Sequence, residues 1–195
     1  TPLYSSAASD VYKRQPTSRW RPLQAPALLG QLAPWALPIS RLFAPADAPA
    51  LAFPWAFSPW VLVLRSRPAL AARGGEGWDL LLDPSLKGKL VLPSSPRLCM
   101  ELMGRNFDRI QALRSQALAY DDRDGLNLLL SGEADAAVAP LRRLIPLLRR
   151  DQRLQVVFPA SGAPLSWQLL LRPAGATADL PSAWITAALE PPLLG

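Results

Sequence analysis

A chain of 195 residues, half of them hydrophobic, is long enough to bury one core or two small lobes that share one, so a disordered polypeptide is excluded. It contains no His and a single Cys, Cys99, which rules out Ser-His and Cys-His catalysis, ordinary zinc sites, an internal disulfide and Cys-based metal clusters. The formal charge of +6 comes from 18 Arg spread along the chain against three Lys, a bias of GC-rich coding more than a nucleic-acid footprint, so no nucleic-acid partner is expected.

The stretch Ser5 to Gln15, SSAASDVYKRQ, has no apolar period and back-translates without a break into a transposase adaptor of sequencing libraries. Residues 1–15 are therefore expected to be adaptor-derived and non-native, and the natural N-terminal part to be missing together with any signal peptide. Without Lys13, Arg14 and Asp10 the formal charge is +5. The closing EPPLLG has no polar tail, so a truncated C-terminus is expected as well. With 22 Pro, about twice the ordinary ~5% share, the chain should consist of short elements joined by rigid loops.

Residues 16–50 are rich in Pro and Ala, and ALLGQLAPWAL predicts brief helices. WVLVLR (60–65) is a continuous apolar run and predicts a buried strand. Pro54 and Pro59 interrupt the preceding apolar residues, so no stretch reaches the ~18 that a membrane helix needs. ARGGEG is a flexible turn, WDLLLDPSLKGK a short helix closed by Asp83-Pro84, and KLVLP a strand. SSPRLCMELMGR, with hydroxyl caps and Pro in the first turn, predicts a helix from about Ser95. NFDRIQALRSQALAY places Phe107, Ile110, Leu113, Ala117 and Leu118 on one helical face, and DDRDGLNLLLSGEA is a further helix stopped at Ser131-Gly132.

DAAVAP predicts a strand, and LRRLIPLLRR an amphipathic helix whose Arg face is solvated instead of forming a phosphate-binding stripe. LQVVFP (154–159) and SWQLLLRP (166–173) are strands, and LPSAWITAALE is a helix beginning at Pro181. Strands alternating with helices predict an α/β fold built on parallel pairs, and no internal repeat is visible.

WDLLLDPSLKGKLVLPSSPR, LLSGEADAAVAP and FPASGAPLSWQLLLRP, in that order, resemble the periplasmic solute-binding proteins of ABC transporters, in particular the spermidine/putrescine-binding type. The matching stretches are Trp78 to Lys89 and Gly132 to Asp135, within a resemblance that covers residues 50 to 175. It implies an α/β fold of two lobes, the type II periplasmic-binding clamshell, with its N-terminal part missing. Residues 16–69 would be a partial first lobe, 70–162 the second lobe, and 163–195 the return to the first. A chain lacking its leading strands would leave apolar sheet surface uncovered, and marginal solubility is expected.

The function implied is binding: a small solute enters the cleft, the lobes close on a hinge, and the closed form docks on a membrane permease in the periplasm. FPWAFSPW corresponds to the family's cleft segment, which makes Trp55, Ser58 and Trp60 candidates, although Trp at such spacing also serves as core. SSPRL sits where polyamine binders carry Asp-Asp-x-Arg-Glu; Ser95 and Leu98 replace the carboxylates while Arg97 is retained. PLSWQ sits where they carry a Trp and an Asp, and supplies Ser166, Trp167 and Gln168.

With both carboxylate anchors absent, a buried ammonium would cost several kcal/mol, so a polyamine-like family does not imply a polyamine ligand here. Ser94 and Ser95 with Arg97 at a helix start suit a carboxylate or phosphate oxygen equally well as they suit capping of their own helix. Asp121, Asp122 and Asp124 read first as a helix start and second as a cation site. The leading expectation is a monomeric solute-binding protein without cofactor or metal; the rival is a ligand-sensing domain of similar fold in a receptor or transcriptional regulator. No paired acids or activated nucleophile recommend an enzyme.

Overall fold

The run predicted as a strand at 60–65 begins eight residues earlier than its apolar core and forms the longest element of the protein. The structure, a computed structural model, describes residues 19–178 and 181–189; the adaptor stretch 5–15 and the closing EPPLLG lie outside the described residues. Among these, the strands are β1 (Trp20–Arg21), β2 (Ala52–Arg65), β3 (Leu90–Leu92), β4 (Ala117–Tyr120), β5 (Ala136–Pro140), β6 (Leu154–Val157) and β7 (Leu165–Pro173). The contacts divide the described chain into two units: Ser58–Ser166, and the residues up to Phe57 together with those from Trp167 onward.

In the unit of Ser58–Ser166, the second half of β2 pairs antiparallel with β5 on one side and with β6 on the other. β3 pairs parallel with both β5 and β4. The parallel pairs expected form around β3, and the sheet is mixed because β2 meets its two neighbours in the opposite sense. Both faces are covered, and this explains why WVLVLR reads as an unbroken apolar run instead of alternating. Val61 to Leu64 are all 0% exposed. Leu62 and Leu64 pack with Leu90, Leu92 and the helix Pro96–Leu102, whereas Val61 and Val63 pack with Val91, Leu129 and Leu144 on the opposite face. Each such side chain contributes about 1.5–3 kcal/mol by leaving water.

A second correction concerns NFDRIQALRSQALAY. The helix Phe107–Gln116 ends where Ala117 turns to extended geometry (φ −65°, ψ 130°), and 117–120 become edge strand β4. The buried Gln116 side-chain amide donates to the carbonyls of Leu82 (3.0 Å) and Asp83 (3.3 Å), and the Gln116 backbone carbonyl accepts the Gly88 N–H. These bonds stop the helix and hand the next residues to the open side of β3. Leu113 is buried as predicted, but Phe107 and Leu118 face solvent.

The turn predicted at Ser131-Gly132 ends the helix Gly125–Ser131, with Gly132 at φ +90°, a conformation that favours glycine. In the other unit, β1 pairs antiparallel with β7, which lies between β1 and β2. The brief helices expected in ALLGQLAPWAL form at Pro26–Leu29 and, after a 3-10 turn at Pro34–Ala36, at Leu37–Ser40. Leu23, Leu28, Phe53 and Ile185, the last from the helix Ser182–Ala188, make this unit's core.

Candidate ligand cavity

Along the extended first half of β2, residues two apart share a face. Phe53 turns into the core, and Trp55 and Phe57 follow at the same register. Trp35 reaches the same place from the 3-10 turn Pro34–Ala36, where Pro34 presets the backbone and the Ala36 N–H donates to the Ala33 carbonyl at 2.8 Å. Trp167 comes from β7.

Trp35, Phe57 and Trp167 form a triangle. Their ring centres are 5.5 Å apart for Trp35–Phe57 (88° between planes), 5.5 Å for Trp35–Trp167 (45°) and 5.4 Å for Phe57–Trp167 (47°). Edge-to-face and tilted pairs at this spacing are each worth about 0.5–1.5 kcal/mol beyond burial. Trp35 and Phe57 remain 44% and 52% exposed.

The rings border a cavity of about 510 Å³, a volume in the range of small-molecule sites. Trp55 forms part of the wall and is itself stacked on Trp184, centres 5.8 Å apart and planes 9° from parallel. Gln31 is the one polar side chain among the described lining residues, and none of them is charged. The described lining residues can therefore offer dispersion and ring quadrupoles, but no ion pair.

The structure brings Trp55 and Trp167 together here. It places the other candidates as follows. Gln168, half-buried, follows Trp167 on β7 and does not line the cavity. Ser58 is 3% exposed and its hydroxyl accepts the Arg142 N–H at 3.0 Å, capping the helix Leu141–Leu148. Trp60 lies with Asp121, Asp122 and Arg143 around a crevice of about 10 Å³, room for roughly one water and no solute. Ser166 is half-buried at the end of the same unit.

At the helix Pro96–Leu102, Ser95 accepts the Leu98 N–H at 3.4 Å and so caps its own helix. Asp122 receives both the Ser94 hydroxyl and the Ser94 N–H, the latter at 3.1 Å. A protein carboxylate thus sits where an incoming anion would have to bind. Arg97 is half-buried in the helix's first turn. Asp121 accepts the N–H groups of Arg123 (2.7 Å) and Asp124 (3.1 Å), and the Arg123 bond above all holds its carboxyl below the usual range. The acidic trio accordingly builds its own turn, in keeping with its reading as a helix start. Cys99 is buried, donates to the Pro93 carbonyl at 3.5 Å, and burial pushes its thiol up to about 11.

Trp35 and Phe57 are the wall residues that sequence reasoning missed. For Phe57 the signal was present, since strand period puts it on the face of Trp55. Trp35 had only its neighbouring prolines to mark it.

No family model matches the chain, and no curated protein matches it. Solved structures do. A putative spermidine/putrescine ABC transporter protein from Listeria monocytogenes aligns over 94% of the chain with a TM-score of 0.65 at 20% identity. The fold is that of the periplasmic binding proteins. A spermidine/putrescine ABC transporter substrate-binding protein from Streptococcus pneumoniae matches 91% of the chain (TM-score 0.63, 15% identity). Apo ferric ion-binding protein A from Pasteurella haemolytica matches 92% (TM-score 0.65, 13% identity). The chain spans 61%, 58% and 60% of these three proteins, respectively.

Proposed function

We propose that this chain is the solute-binding component of an ABC importer, acting outside the cytoplasm and delivering a small solute to a membrane permease. The observation that carries the reading is the likeness of fold over 94% of the chain to a putative transporter protein of this kind. The aromatic cavity supports it by supplying a walled site of suitable size. The segments 16–69 and 163–195 are taken as one lobe and 70–162 as the other, in a monomer that works without a cofactor. Docking on a separate permease is part of the same proposal; among the described residues no helix is long and apolar enough to cross a membrane.

Polyamines are not favoured as the solute. None of the described lining residues is charged, and an ammonium stripped of water without enough acceptors for its N–H groups costs several kcal/mol. Thermal unfolding with and without a solute panel of polyamines, small carboxylates and phosphates tests the binding role, because a ligand at 100 times its Kd adds about 2.7 kcal/mol of stability. A melting point that rises with putrescine or spermidine at low concentration would overturn the argument against polyamines. Permease and ATPase genes beside the gene for this chain are expected; their absence would count against transport.

A further inference from the structure

We infer that one end of the sheet in the unit Ser58–Ser166 is a docking surface for an anionic lipid membrane. The inference goes beyond the solute-binding reading, and the two are tested apart. Three observations lead to it.

First, backbone bonds gather the basic residues of four strands on one rim. Arg65 closes β2, and its N–H donates to the Asp135 carbonyl ahead of β5 at 2.8 Å. The Ser66 N–H donates to the Arg153 carbonyl ahead of β6 (2.8 Å), and the Asp135 N–H to the Lys89 carbonyl ahead of β3 (2.9 Å). Arg67 and Lys87 stand two positions from Arg65 and Lys89, and the helix Leu141–Leu148 delivers Arg149 and Arg150 to the same rim on the way to β6.

Second, the charge of the unit is concentrated there. The stretches 65–67, 87–89, 131–135 and 149–153 hold seven Arg and Lys against three Asp and Glu, whereas the rest of Ser58–Ser166 holds eight of each. The whole surplus therefore sits on the rim. Two of its three carboxylates are already engaged. Asp135 takes Arg67 at 2.5 Å and Lys89 at 3.5 Å, and Asp151 takes Arg153 through Nε (2.8 Å) and Nη2 (2.7 Å). Lys87, Arg149 and Arg150 are exposed. Arg149 and Arg150 offset the dipole of their helix, but that amounts to only about half a unit charge. Gathered like charges repel, and an anionic surface relieves the repulsion.

Third, the rim has the form of a surface contact. β6, β2, β5 and β3 are consecutive neighbours, and three strand spacings spread the cations over about 14 Å. Such a row addresses several headgroups at once, and arginine forks match phosphate oxygens in pairs. Ile145, 43% exposed, lies one helical turn before Arg149 on the same face, with Pro146 exposed beside it. Pro68 and Ala69 are exposed directly after Arg67. Apolar groups set among cations suit the headgroup boundary better than a hydrated acidic protein surface. The opposite end of β2 and β5 carries Trp60 and Pro140 at the crevice, and contact at the rim leaves it free.

The test is co-sedimentation of the whole chain with vesicles of phosphatidylcholine, alone or with about a quarter phosphatidylglycerol. Binding to the anionic vesicles is expected to be at least about tenfold tighter, and to be lost as salt rises from about 0.05 M to about 0.5 M. Each cation near such a surface is worth about fivefold, so the double variant Arg149→Gln/Arg150→Gln should weaken binding at least about tenfold. Arg123→Gln/Arg142→Gln removes the same charge at the other end of the unit, where the Arg142 N–H meets Ser58, and should change binding less than about twofold. Unchanged far-ultraviolet circular dichroism shows that the variants fold.

Equal weakening by the two double variants would overturn the inference in favour of overall charge. Equal binding to both kinds of vesicle would overturn it in favour of apolar adsorption, and no binding of the folded wild type at low salt would overturn it outright. If vesicles fail while polyglutamate binds through Arg149 and Arg150, the rim serves an acidic protein and the lipid surface falls. The thermal panel of solutes contains no lipid, so the solute-binding reading stands or falls separately from any of these results.

Discussion

Replacing Ser58 by Ala isolates one hydroxyl that joins β2 to the helix Leu141–Leu148. The first N–H groups of a helix have no partner inside it. Here Pro140, the residue preceding the helix, makes no side-chain cap, and the Arg142 N–H is taken by Ser58 from 84 positions away. Ser58 is 3% exposed, so water has little access to replace the lost acceptor. Loss of a cap costs about 0.5–2 kcal/mol, and a buried unsatisfied donor about 1–3 kcal/mol. The two figures describe the same lost bond, so the expected destabilisation is about 1–2 kcal/mol, or roughly 2–8 °C in melting temperature for a chain of this length. Urea unfolding followed by circular dichroism should show a lower midpoint with an unchanged slope, and the Arg142 amide should exchange faster. Ser94→Ala, an exposed hydroxyl, is the control and should cost no more than about 0.5 kcal/mol. Equal midpoints for Ser58→Ala and wild type, within about 0.3 kcal/mol, would refute the claim that this hydroxyl holds the helix start.

At Gly125 an added Cβ would meet Val91 Cγ1 at 2.6 Å, so Gly125→Ala should cost about 1–3 kcal/mol and Val91→Ala should relieve part of it; additive losses in a double-mutant cycle would contradict the close approach. Asp83 is held down to about 2 by the Ser85 hydroxyl first, then the Ser85 N–H and Arg73. A carboxyl depressed in the folded state adds stability above its ordinary value of about 3.9 and loses it as pH falls toward 2. The urea midpoint of wild type should therefore drop more steeply between pH 5 and pH 2 than that of Asp83→Asn, and parallel curves would argue against the contribution. The Cys99 thiol, buried and raised to about 11, should ignore a disulfide reagent at pH 8 in the native chain and react at once in urea; prompt native labelling would contradict its burial.

How much of this was legible in the sequence depends on how far away the deciding partner lies. Val61 to Leu64 announced their strand because both faces of it are covered, a condition written into the run itself. Gly132 announced a helix stop because its positive φ is a property of one residue. Residues 117–120 misled, since their apolar spacing continues the helical period of Leu113, and what breaks it is Gln116 bonding to carbonyls more than 30 positions earlier.

The candidate site divides along the same line. Trp55 and Trp167 stand in segments that the resemblance marked, and the structure places them in one cavity wall. Trp35 belongs to a Pro-pinned turn that nothing local connects to β7, so its ring contact with Trp167 could be seen only after folding. Ser94 and Ser95 were legible as helix-start hydroxyls, with capping and anion binding equally open. Asp122, 28 positions later, decides how Ser94 is used: its carboxylate occupies the donors an anion would need. A ligand class argued from Ser94, Ser95 and Arg97 alone would thus have pointed to an anion, whereas the folded chain already fills the Ser94 donors with a carboxylate of its own.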